Sequence, residues 1–117
     1  MSGEEAREMP DPTEAIVVLV TTPTPERAAE IARALVEERL AACGNVLPAI
    51  RSIYRWEGRV QDDQEALLVL KSTRDRFEAL RDRVLALHPY QVPEVIALPV
   101  EAGSAKYLEW IAAETTS

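Results

Sequence analysis

Hydrophobic and polar positions alternate in recognisable rhythms along this chain, and the rhythms change at turn-forming residues. Ala15-Ile-Val-Val-Leu-Val20 is a continuous, mostly β-branched run that predicts a strand. Thr24-Pro25-Glu26 then predicts a helix start: Thr24 caps, Pro25 loses no hydrogen bond there, and Glu26 meets the positive helix end. Ala28, Ile31, Ala32, Leu35 and Val36 recur at helical spacing, and the helix is predicted to run to about Ala42. Two extended arms follow, Gly44 to Trp56 and Val60 to Lys71, around a turn at Glu57-Gly58-Arg59. Each arm is about twice the usual strand length. Ser72 or Thr73 is placed to cap a second helix carrying Phe77, Leu80, Val84 and Leu87 on one face, and His88-Pro89 stops it. Val95 to Leu98 predicts a last strand, and Gly103-Ser104 a terminal helix whose Tyr107, Leu108, Ile111 and Ala112 share a face.

The order β-α-β-β-α-β plus a final helix is the split β-α-β, ferredoxin-like arrangement of the α+β class, with a mostly antiparallel sheet. Its sheet order, 4-1-3-2, makes the first and third strands central. Those are the two uninterrupted apolar ones, while Pro48, Pro93 and Pro99 fall on the edges, where proline is tolerated. Central strands covered on one face alternate; these do not, which predicts cover on both faces. A chain of 117 residues has no further layer to offer, so the second cover is expected to be another copy of itself.

Residues 1–13 read as an acidic, disordered tail and 14–117 as one domain. The longest apolar runs are about six residues, far short of the roughly 20 of a membrane helix, and the first residues lack a signal-peptide core. A cytoplasmic protein without a membrane partner is expected. The net charge of −7 leaves no basic footprint for nucleic acid. One cysteine and one histidine exclude an internal disulfide and Cys- or His-rich metal motifs within a single chain. No Gly-rich phosphate loop, nucleophile elbow or zinc-helix motif is present, so an enzyme is not expected.

Four segments carry a resemblance: Glu37 to Pro48 (EERLAACGNVLP), Ser52-Ile-Tyr-Arg-Trp-Glu-Gly58, Leu87-His-Pro-Tyr-Gln-Val-Pro-Glu-Val-Ile96 and Tyr107-Leu-Glu-Trp110. In this order, from about Ala15 to Trp110, the chain resembles the CutA divalent-cation tolerance family. The resemblance implies a ferredoxin-like subunit in a homotrimer similar in shape to the PII signalling proteins, cytoplasmic and linked to copper and other divalent cations. Some members are described as holding copper through a cysteine late in the first strand and adjacent histidines before Pro-Tyr. This chain has Val20 and Leu87-His88 at those positions, so only His88 of that set is present.

His88 and Cys43 are therefore the metal-ligand candidates, each with an alternative: a helix-terminal histidine, and a small buried hydrophobe. Tyr54 and Trp56 alternate onto one strand face and either pack an interface or line a cleft between subunits. Glu65 and Lys71 share a face of the third strand; Lys71 reaches either a carboxylate such as Glu94 or an anionic ligand. With Tyr90, Glu94 and Trp110 they form the candidate cleft, polar groups over an apolar floor. Three readings remain open: a homotrimer that binds copper or another divalent ion, a PII-like sensor or interaction module taking a small ligand, and a purely structural, robust trimer with no ligand of its own.

Overall fold

The structure, a computed structural model, describes residues 11–116. The expected tail lies outside the described residues as far as position 10. From Asp11 the chain is placed, in a 3₁₀ turn at Pro12–Glu14 whose Thr13 N–H donates to the Asp11 carboxylate (2.9 Å). Four strands and three helices follow: β1 (Ala15–Thr22), α1 (Pro25–Glu37), β2 (Cys43–Trp56), β3 (Arg59–Thr73), α2 (Phe77–Leu87), β4 (Ile96–Pro99) and α3 (Ala105–Glu114). The sheet order is β2-β3-β1-β4 and every neighbouring pair is antiparallel, the arrangement expected from the element order.

α1 starts as the sequence predicts: Thr24 Oγ1 accepts from the Arg27 N–H (3.1 Å) with Pro25 in the first turn. It ends at Glu37, short of the expected Ala42. Arg39 adopts the left-handed conformation (φ 59°), and the Leu40 and Arg39 amides donate back to the Leu35 and Val36 carbonyls (2.9 and 3.1 Å). This is a Schellman ending with arginine where glycine is usual. Leu40 and Ala41 stay buried after the reversal, which is why the apolar stripe runs past the end of the helix. The start of α2 also differs. Ser72 Oγ donates to the Leu40 carbonyl (2.6 Å), Thr73 Oγ1 donates to Asp75 (2.7 Å), and neither caps. A 3₁₀ turn at Arg74–Arg76 leads into the helix instead, and His88 closes it through its N–H to the Val84 carbonyl (2.9 Å).

α1 and α2 cover one sheet face. Ile16, Val18 and Val20 of β1 and Ala66, Leu68 and Leu70 of β3 pack there against Ala28, Ile31, Leu35, Leu80 and Val84. α3 seals the sheet end through Ile111, against Ala15 and Ala42. On the other face lie Val17, Leu19, Leu67 and Val69, half-buried, beside Ile96 (50 % exposed) and Leu98 (49 %) of β4. The strands thus alternate between fully covered and uncovered positions, and both sets are apolar.

The β2-β3 hairpin closes on a two-residue turn, Glu57 and Gly58 (φ 51° and 77°), with Arg59 already paired to Trp56. Two positive φ values identify a type I′ turn, where glycine is favoured. Midway along β2, register shifts between Leu47↔Leu67 and Ile50↔Glu65, so that Pro48 and Ala49 stand opposite Ala66 alone. Proline lacks the N–H that a regular ladder would use, and a bulge of this kind accommodates it.

Candidate functional site

Beyond the bulge no helix covers the hairpin, and its polar side chains pair across the strands. Arg51 donates twice to Asp62 (2.9 and 2.7 Å), and Tyr54 Oη donates to Asp63 (2.6 Å). Arg51 holds the Asp62 carboxyl below its usual range, and the Asp63 bond pushes the Tyr54 phenol up. The bulge puts Ser52, Tyr54 and Trp56 on the same side as Glu65, where they meet the loop that follows α2.

The result is a cleft of about 650 Å³ lined by Tyr54, Trp56, Glu65, Tyr90 and Glu94, with Thr21, Ser52, Ile53, Pro89, Gln91 and Val92 completing it. Glu65 is 8 % exposed and accepts a hydrogen bond from Tyr90 Oη (2.6 Å). Burial first, and that bond second, push the Tyr90 phenol well above the usual tyrosine range, so it remains a donor at any ordinary pH. Burial raises the Glu94 carboxyl too, and the Glu65 charge adds to the shift. Five of the seven cleft candidates therefore come together. The other two do not. Lys71 Nζ donates to Asn45 Oδ1 rather than reaching Glu94, at the opposite end of the sheet face. Trp110 stacks with Tyr107 on α3, ring centroids 5.4 Å apart.

A carboxyl raised above its unfolded value binds its proton more readily in the folded state. It therefore costs stability as pH rises through the window between the two values. Glu94→Gln should accordingly raise the melting temperature at pH 7. It should bring no comparable gain below about pH 4, where the wild-type carboxyl is already protonated. Thermal unfolding at both pH values checks this; a lower melting temperature at pH 7 would contradict it.

The two metal-ligand candidates stand apart. His88 is buried, and both ring nitrogens are engaged: Nε2 lies 2.7 Å from the Thr21 carbonyl, and Nδ1 accepts the Tyr90 N–H (3.1 Å). A carbonyl only accepts, so the ring proton sits on Nε2. The ring ties the end of β1 to the loop that bears Tyr90. Cys43 pairs with Lys71, which pairs with Val17, four β1 positions from Thr21 and roughly 13 Å away at strand rise. Its Sγ lies 3.7 Å from Tyr107 Oη, and this contact pushes the Tyr107 phenol up. Among the described residues no three His, Cys, Asp or Glu side chains converge as a metal site. The described residues of one chain thus do not fit a chelated metal. Sequence reading missed the Thr21 and Asn45 contacts, which join positions 67 and 26 residues apart and leave no local signal.

Comparison with known proteins follows the same lines. Residues 16–114 match the family model described as CutA1 divalent ion tolerance protein. The divalent-cation tolerance protein CutA of Thermus thermophilus is 56 % identical over 99 residues, 85 % of this chain and 96 % of that one. The chloroplastic protein CutA of Arabidopsis thaliana is 52 % identical over 82 % of this chain, which spans only 53 % of the plant protein. A solved divalent cation tolerance protein from Thermus thermophilus superposes with a TM-score of 0.84 at 54 % identity, over 86 % of this chain and 98 % of that one. No helix among the described residues is long and apolar enough to cross a membrane.

Proposed function

The chain belongs to the CutA1 divalent ion tolerance family, and from that premise we propose how it works: as a non-catalytic, cytoplasmic homotrimer without a chelating centre in any one chain. The observation that carries this reading is the uncovered apolar face of Val17, Leu19, Leu67, Val69, Ile96 and Leu98. An apolar sheet face needs cover, and a second copy supplies an identical one. Three copies are what the family resemblance implies.

Divalent cations, copper among them, then meet an acidic protein as weakly held counterions. The engaged nitrogens of His88 and the distance to Cys43 support this over a chelate. Calorimetric titration of chelator-stripped protein with copper(II), with native mass measured on the same sample, tests it. The expected result is a mass three times that of the 13.0 kDa chain and a shallow titration that is unchanged in His88→Ala. Low-micromolar binding at a whole-number ratio, lost in that variant, would overturn the reading, as would a monomer mass.

A second reading is favoured by the cleft itself: a PII-like sensor or interaction module that takes a small ligand there. Its volume lies within the usual range of small-molecule sites, about 300–1,000 Å³. Glu65 shares the face of Leu67 and Val69, so in the assembly the cleft lies beside the contact between copies.

A further inference from the structure

Resting on that second reading, the ligand's chemistry follows from the walls of the cleft. Their charged groups are Glu65 and Glu94, and no lysine, arginine or histidine lines them. Asp63 adds a third carboxylate next to Tyr54. Glu65 is more than nine-tenths buried, yet only one of its oxygens accepts a hydrogen bond among the described residues, from Tyr90. The other oxygen is left for an incoming donor.

Both tyrosine phenol protons are already committed, to Asp63 and to Glu65. Tyr54 and Tyr90 can therefore offer a ligand ring faces and oxygen lone pairs, and Trp56 offers an indole face. Ring faces attract cations through their quadrupole, most strongly for tryptophan. An anion would meet two carboxylates on the walls and no compensating charge. A bare divalent ion would find too few ligands, since no three His, Cys, Asp or Glu side chains converge among the described residues, in a space far larger than it fills. An organic ammonium with an apolar body meets every one of these features.

We propose that the cleft between the β2-β3 hairpin and the Pro89–Glu94 loop binds an organic cation, its ammonium head on Glu65 and its apolar body against Tyr54 and Trp56. The test uses the full-length protein in its native assembly and three probes of one size: 2-phenylethylammonium, 2-phenylethanol and phenylacetate, followed by calorimetry or NMR shifts. The ammonium should bind at least about tenfold more tightly than the alcohol, and the acid should not bind. Glu65→Gln keeps an acceptor for Tyr90 and should abolish the preference while leaving the alcohol's affinity in place; Glu94→Gln should reduce it. Trp56→Ala should weaken ammonium and alcohol alike.

Equal binding of ammonium and alcohol, both weakened by Trp56→Ala, would overturn the cation assignment and leave the ligand cleft standing. Absence of binding by all three would overturn both. A preference for phenylacetate, an ammonium site indifferent to Glu65→Gln and Glu94→Gln, or stoichiometric displacement of the ammonium by magnesium chloride would each refute the proposal.

Discussion

A valine at position 44 is expected to cost most of this domain's stability. Gly44 lies on β2 opposite Leu70, beneath α1, and a Cβ there would stand 2.9 Å from Ala32 Cβ, 3.1 Å from Leu70 Cδ2 and 3.3 Å from Leu68 Cδ1. The Ala32 carbon is fixed to the helix backbone and cannot swing aside. Room can come only from lifting α1, which loosens Ile31 and Leu35 from the core they share with Leu68 and Leu70. Overpacking by single methyl groups costs about 1–3 kcal/mol. Gly44→Ala should fall in that range and Gly44→Val beyond it, against a total of about 5–15 kcal/mol for a typical domain. Urea unfolding at fixed protein concentration measures both, since assembly would otherwise shift the midpoint. Gly103→Ala serves as the control, because its Cβ would meet only the flexible Leu108 side chain, at 3.3 Å or more. If Gly44→Ala unfolds at the wild-type midpoint, the close approach of helix and strand is not what holds α1.

Val69→Glu should leave a folded chain that no longer associates. Val69 sits mid-strand, paired with Leu19 on one side and Asn45 on the other, and is half-buried within its own chain. In a lone protomer a glutamate there reaches water across an open face. Between copies it would be an unpaired charge in an apolar contact, which costs several kcal/mol per ion. At about 4 kcal/mol, the dissociation constant rises roughly a thousandfold. Mass in solution together with circular dichroism reads both halves of the expectation. An assembly of unchanged mass would remove this face from the interface.

The elements that read well from sequence are those whose cause is local. Ala15 to Val20 and Ala66 to Leu70 are apolar without interruption because helices cover one face and the other is apolar as well. That pattern placed them at the sheet centre, and their antiparallel pairing bears it out. Thr24-Pro25 fixed the start of α1 through one side chain and one ring. Its end could not be read, since Arg39 takes a left-handed turn that arginine rarely adopts and nothing beside it signals one. Ser72 and Thr73 looked like caps because the residue type is right, but nearer acceptors, the Leu40 carbonyl and Asp75, claim their hydroxyls.

The cleft follows the same division. Alternation alone put Tyr54 and Trp56 on one side, and a short loop supplied Tyr90 and Glu94. Which side faced Glu65 depended on how the two arms pair, a long-range matter. Lys71 illustrates the limit: it shares a strand face with Glu65, but six residues of strand keep it from the cleft, and Asn45 satisfies it.

The doubled step at Pro48 and Ala49 has a consequence for how such a surface can change. Strand faces repeat every two residues, so one supernumerary residue reverses the phase of everything distal to it. A ladder run on without the bulge would pair Ala49 with Glu65, bring Arg51, Ile53 and Arg55 to that side and turn Tyr54 and Trp56 away. The β2 side of the wall would pass from aromatic to basic with no side chain altered. The polarity of this surface is carried by the register of one strand arm as much as by residue identity, and the extra residue at Pro48 and Ala49 is what holds that register.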